Sequence, residues 1–104
     1  MTFTIQHDLQ HGLLRLECIF TFDGHAAFKA ATAEALDAGH PALLLDLSGV
    51  GYLDSSALGM LLLLREKAEA RDRKVVLRRP SPTVLAILRT VQFGKLFEIQ
   101  EDGP

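Results

Sequence analysis

The chain has 104 residues, enough for one hydrophobic core and too few for two domains of ordinary size. Its 48% hydrophobic and 23% charged content matches an average globular protein and excludes a highly charged disordered chain. Eleven Lys and Arg against thirteen Asp and Glu leave a formal net charge of −2, so no overall positive field gathers nucleic acid or an anionic membrane.

The start of the chain, Met1 to Asp8, has neither the basic opening nor the unbroken apolar stretch of a secretion signal. Phe3 and Ile5, then Leu14, Leu16 and Cys18, alternate with polar neighbours, the period of two expected of strands with one buried face. Gln10-His11-Gly12 between them suits a hairpin connection. From His25 to Ala38 the residues Phe28, Ala31, Ala35 and Leu36 recur at helical spacing, and Gly39 with Pro41 ends the run. Ala42 to Leu47 is a short, nearly continuous apolar run, which predicts a central strand covered on both faces.

Ser48-Gly49-Val50-Gly51 reads as a turn, after which Asp54-Ser55-Ser56 opens a second helix running to about Arg71. Lys74 to Leu77 predicts a further strand. Ser81-Pro82 then supplies a cap and a first-turn proline for a third helix carrying Val84, Ile87, Leu88 and Val91. Leu96 to Ile99 is expected to close the sheet, and residues 100–104 to form a polar tail, leaving about 3–99 structured within one domain spanning 1–104. The order ββαβαβαβ predicts an α/β fold, with a mixed central sheet, parallel crossovers and about three helices packed on it.

Catalytic chemistry finds little support. His7 and His11 stand close only in a strand-and-turn segment, and His25 and His40 are remote in sequence, so no ligand spacing for a metal emerges. Gly49-Val50-Gly51 has Asp54 where a dinucleotide loop needs its third glycine, and no Gly-Lys-Ser/Thr follows. Ser55 and Ser56 lack the glycines of a nucleophile elbow, and Cys18 has no activating base in view. No catalytic, cofactor-binding or metal-binding residue is therefore assigned. The single cysteine fits a reducing compartment, and the most apolar run, Ala57 to Leu64, falls short of the roughly 20 residues needed to span a bilayer. A cytoplasmic protein is expected.

Val50 to Met60 is the segment that invites a functional reading. Ser55 and Ser56 stand where a buried strand passes into a helix, and free N–H groups and the helix dipole there stabilise an added anion. Capping of the helix by Asp54 or a serine accounts for the same residue types. In the helix itself Leu58, Met60, Leu61, Leu62, Leu63 and Leu64 cannot all face one core, which leaves docking and flank packing both open.

The stretch Asp46-Leu47-Ser48-Gly49-Val50-Gly51-Tyr52-Leu53-Asp54-Ser55-Ser56-Ala57-Leu58-Gly59 resembles the signature of STAS domains, specifically the small bacterial anti-sigma factor antagonists. The likeness extends to the paired first strands, to Ser81-Pro82-Thr83-Val84 and to Phe93-Gly94-Lys95-Leu96-Phe97-Glu98-Ile99. It implies a partner switch, in which the unmodified protein binds an anti-sigma factor with serine-kinase activity and frees the sigma factor. Phosphorylation ends the complex, and a PP2C-type phosphatase reverses it. The protein is then a substrate and not an enzyme. Ser55, the first hydroxyl after the signature aspartate Asp54, is the implied phosphoacceptor, with Ser56 second. The implied contact surface comprises Leu58, Gly59 and Met60, with Asp54, Ser55 and Ser56, and the loop holding Asp23 and His25.

The family commonly has glycine where this chain has Cys18, aspartate where it has Thr21, and glycine where it has Ala57. Phe20 to Phe28 looks more like the Phe-rich, His-containing version found in Gram-negative partner-switching systems. A rival implied by the same fold is the unphosphorylated STAS docking subunit of an ABC-type lipid transporter.

Overall fold

The computed structural model describes residues 3–8 and 10–101. Its elements run β1 (Thr4–Asp8), β2 (Leu13–Phe20), α1 (His25–Asp37), β3 (Ala42–Leu53), α2 (Ser55–Glu69), β4 (Lys74–Arg78), α3 (Pro82–Thr90) and β5 (Glu98–Gln100), with single 3-10 turns at Phe22–Gly24 and Phe93–Lys95. The sheet order is β1-β2-β3-β4-β5. β1 pairs antiparallel with β2 through the expected hairpin, and every other pairing is parallel. The α/β class, the element order and the mixed sheet are those read from the sequence.

Each parallel step moves the same way across the sheet, so right-handed crossovers carry the helices to one face. Leu14, Leu16, Leu45, Leu47 and Leu77 lie on that face, fully buried beneath the helices, together with Leu61, Leu64, Val84 and Leu88 from the helices themselves. Fully burying a leucine is worth roughly 1.5–3 kcal/mol, so this layer carries most of the driving force for folding. The opposite face carries Gln6, Arg15, Glu17, Asp46, Lys74 and Arg78, paired across strands by register. β3 is central, as expected, but only one of its faces is covered by helices. Its apolar run is broken on the open side by Asp46, and Leu44 there is only half-buried.

Three boundaries differ from the sequence reading, each for a local reason. β3 runs on through Ser48-Gly49-Val50-Gly51, because register shifts against β2 between Arg15 and Glu17 and between Cys18 and Ile19 absorb the small residues as bulges. A Cβ on Gly49 would stand 3.0 Å from Glu17 Cγ and 3.2 Å from the Leu16 carbonyl, so glycine permits this close passage. Helix α2 stops at Glu69, because Asp72 takes a left-handed backbone at φ 56° and Arg73 N–H returns to the Ala68 carbonyl. The last strand begins at Glu98 and not Leu96, since Phe97 N–H is still bonded to the Phe93 carbonyl at 2.9 Å and its ring packs on Phe93. Gln100 accordingly belongs to β5, and residues 102–104 of the expected tail lie outside the described residues, as do residues 1 and 2. Among the described residues no helix is long and apolar enough to cross a membrane.

Cys18 lies at the second bulge with φ 78°, a backbone region that favours glycine, which is the residue the family commonly has there. On the open face the Asp46 carboxylate is nearly enclosed, with 4% of its side chain exposed. Arg79 Nη2 donates to it at 2.7 Å, the Ser48 N–H donates at 2.9 Å, and Arg15 Nε stands at 3.6 Å. Burial pushes the Asp46 carboxyl up, but the hydrogen bonds from Arg79 and Ser48 outweigh it and hold the group below the usual carboxylate value. A carboxyl lowered in the folded state stabilises the fold above its unfolded pKa of about 3.9, and that stability is lost as pH falls toward the folded value.

Asp46→Asn should therefore cost about 1–2 kcal/mol at pH 7, the range for hydrogen bonds to a charged group whose guanidinium partner is partly exposed. In urea unfolding the gap between variant and parent should close as pH drops below about 4. Equal stability at pH 7 would remove the carboxylate from its structural role.

Candidate functional site

The parallel strands β2 and β3 end side by side, and their C-terminal ends feed the two segments singled out by sequence. β2 leads into the Phe22–Gly24 turn and α1, and β3 leads through Asp54 into α2. In open α/β sheets this edge is where ligands and partners gather, because loops and helix N-termini converge there. The Asp54 N–H donates to the Phe20 carbonyl at 3.3 Å, which ties the two strand ends together.

Asp54 is the N-cap of α2, with extended backbone and Oδ1 accepting from the Ala57 N–H at 2.9 Å. Capping is thus performed by the aspartate and by neither serine. Ser55 is exposed at the first helical position, and among the described residues its hydroxyl has no hydrogen-bond partner. Ser56 is half-buried and equally without one. Ala57 is fully buried, so its methyl group occupies core space where the family commonly has glycine.

Beyond the cap, α2 divides its apolar residues between two surroundings. Leu61 and Leu64 enter the core, Leu58 and Met60 pack at its margin, and Leu62 and Leu63 are 40% and 48% exposed. Gly59 is exposed, and a Cβ there would meet nothing within 4 Å, so no internal packing calls for glycine. On the neighbouring loop, Asp23 and Phe22 are exposed, and the Phe22 ring stacks on His25 at 5.3 Å. Gly24 is buried against Phe3, whose ring would lie 2.6 Å from an added Cβ, so glycine sets how closely this loop seats on the fold.

The structure adds residues that the sequence reading did not single out. Ile19 and Tyr52 are register partners at the ends of β2 and β3, and both are about half exposed. Their signal lay in the two bulges of β3, which bring Val50 into the core and leave Tyr52 exposed. Lys29 and Thr32 of α1 face Met60, Leu63 and Lys67 of α2 across a shallow groove that also includes His25. The spacing His25, Lys29, Thr32 and Met60, Leu63, Lys67 is helical on both sides, but only the packing of α1 on α2 brings the two rows together. The remaining histidines are dispersed: His11 pairs with Asp8 at 2.8 Å, His7 stands 4.0 Å from Glu34, and His40 lies beneath Gly12. Among the described residues no three His, Cys, Asp or Glu side chains cluster as metal ligands do.

A family model described as "Mlab, STAS domain" matches residues 3–99, and the chain belongs to the STAS domain family. A STAS-domain containing protein of Pseudomonas aeruginosa (strain UCBPP-PA14) is 38% identical over 92 residues, covering 88% of this chain and 90% of that protein. Among solved structures, an anti-sigma factor antagonist from Mycobacterium paratuberculosis superposes with a TM-score of 0.74 at 22% identity, over 97% of this chain and 86% of that one. The anti-sigma factor antagonist SpoIIAA in its unphosphorylated form gives 0.71 at 17% identity, over 98% and 90% of the two chains. The phosphorylated form of SpoIIAA, a Bacillus cell fate determinant, gives 0.66 at 15%, over 97% and 93%. At these identities the structural likeness establishes the fold.

Two substitutions separate the cap from the surface. Asp54→Ala should destabilise the protein by about 1 kcal/mol through loss of the cap. Gly59→Ala should stabilise it by about 0.5–1 kcal/mol, because helix propensity improves and the new methyl meets open space. Both values are read from urea unfolding, and a destabilised Gly59→Ala protein would contradict the placement of Gly59 on an open helix face.

Proposed function

We propose that this protein is a cytoplasmic anti-sigma factor antagonist switched by phosphorylation of Ser55. In its unmodified form it docks on an anti-sigma factor that is also a serine kinase, and so releases a sigma factor. A phosphate on Ser55 ends the complex, and a PP2C-type phosphatase restores it. The protein acts as binding partner and substrate and performs no catalysis of its own.

The observation that carries this reading is the division of labour at the start of α2. Asp54 fulfils the capping requirement, so the Ser55 hydroxyl is exposed and unengaged. A kinase reaches it without breaking the helix. The product is tolerated by the fold, since a phosphate at a helix N-terminus is stabilised by the dipole and by free N–H groups. The same phosphate is poorly tolerated by a docked partner. It adds about −1.5 to −2 charges beside a surface that presents Phe22, Tyr52, Met60 and Leu63, and a partner covering it must desolvate that charge. The contact surface on this reading comprises Asp23, His25, Asp54, Ser55, Ser56, Leu58, Gly59 and Met60. SpoIIAA, which shares the fold, exists in phosphorylated and unphosphorylated forms and supports the reading by analogy.

The exposed apolar residues of α2 suit a permanent interface as well, which gives a second reading as the docking subunit of an ABC-type lipid transporter. The two are separated by incubating the protein with ATP and the serine kinase encoded beside it, followed by intact-mass and peptide mapping. One phosphate on Ser55, absent from Ser55→Ala, is the expected result. Ser55→Ala should hold the anti-sigma factor persistently and Ser55→Asp should hold it weakly. Phosphate confined to Ser56 would move the switch by one residue. No phosphate, with co-purification of a transporter ATPase, would establish the second reading in its place.

A further inference from the structure

The groove between α1 and α2 begins about one and a half turns beyond Ser55 and is bordered by Phe28 and Lys29 on one helix and by Met60, Leu63 and Lys67 on the other. Its cavity of about 60 Å³ is well below the roughly 300–1,000 Å³ of small-molecule sites. It is of a size for one aliphatic side chain and is too small to enclose a lipid or a nucleotide. Each row runs over eight residues, His25 to Thr32 and Met60 to Lys67, about 10 Å along a helix. The full-length charges in its lining are Lys29 and Lys67, and neither is ion-paired with a described residue.

We infer that this groove receives a segment of the anti-sigma factor in which one leucine-like anchor is flanked by acidic residues, the anchor filling the cavity beside Leu63 and the carboxylates meeting Lys29 and Lys67. The inference rests on the function proposed above and names the chemistry of the partner. Charge complementarity selects an acidic segment over a basic one, and the effect of phosphorylation selects it again. Met60 lies five residues beyond Ser55, about 8 Å along the helix, which is close to the screening length of about 8 Å at physiological ionic strength. A phosphate on Ser55 therefore acts at the Met60 end of the groove, whereas Lys67, twelve residues and about 18 Å along the helix from Ser55, is screened from it. It repels a carboxylate seated at that end and would attract a basic group, so the modification weakens an acidic occupant more than a basic one.

The test places a photo-activated benzoylphenylalanine at Leu63 in the full-length protein, irradiates cells of the source organism and sequences the cross-linked peptide. In parallel, the affinity of wild type and of the Lys29→Glu/Lys67→Glu double variant for the captured protein is measured at low and high salt. The expected result is a cross-link to an apolar residue with Asp or Glu within one turn on either side. The double variant should bind on the order of tenfold more weakly, with the loss shrinking at high salt and the melting temperature unchanged. A cross-link to a basic segment, to a second copy of this chain or to nothing, or an unchanged affinity, overturns the inference. If wild type captures an anti-sigma factor that does not cross-link through Leu63, the proposed function stands and the groove inference falls. If the acid-flanked segment belongs to a protein of another class, the chemistry assigned to the groove stands, while its assignment to an anti-sigma factor falls together with the proposed function.

Discussion

Asp54 uses its N–H, its carbonyl and one carboxylate oxygen to join three elements. Its N–H reaches the Phe20 carbonyl at the end of β2, its carbonyl accepts the Leu58 N–H, and its carboxylate accepts the Ala57 N–H. A strand end, a neighbouring strand end and a helix start are thereby fixed relative to one another by one residue. The orientation of α2 and the presentation of Ser55 follow from that junction. Because the cap is satisfied internally, the adjacent serine is spared a structural duty, and on the function proposed above this freedom would let a modification there change what the surface binds while the fold persists.

The two faces of the sheet have different roles. The helix-covered face holds the apolar core, and the open face is a charged surface in which Asp46 is held by Arg79, Arg15 and the Ser48 N–H. Exposed apolar side chains are scattered on most proteins, but here Ile19, Phe22 and Tyr52 border the ends of β2 and β3, and Leu62 and Leu63 lie exposed about two turns into α2. The fold thus separates a solvated surface from an edge that is suited to docking.

Much of this was legible in the sequence because local rules and global packing agreed. Alternation in the first two strands, the Ser81-Pro82 helix start and the Asp54 cap each follow from short-range chemistry, and each stands where it was expected. The misread boundaries are places where tertiary pairing overrode a local signal. Ser48, Gly49 and Gly51 are turn formers in isolation, yet β2 recruits them into β3 as bulges. Asp72 ends α2 through a left-handed backbone that no compositional pattern announces. Lys29 and Lys67 are 38 positions apart and each reads as a solvated charge; only the packing of α1 against α2 makes them two rims of one groove. The role proposed for Ser55 rests on a family resemblance, whereas local physics by itself favoured capping as the explanation of these residue types.

The central claim is that charge at Ser55 controls docking without disturbing the fold. It is tested most directly by producing the protein with phosphoserine encoded at position 55 and comparing its affinity for the anti-sigma factor with that of the unmodified protein, while amide spectra of both report the fold. The account requires weaker binding by at least tenfold, in the range expected for a charge brought into an interface, with spectral changes confined to the first turns of α2 and the adjoining loop. Equal affinity of the two forms, or a loss of binding that accompanies unfolding of α2, would contradict it.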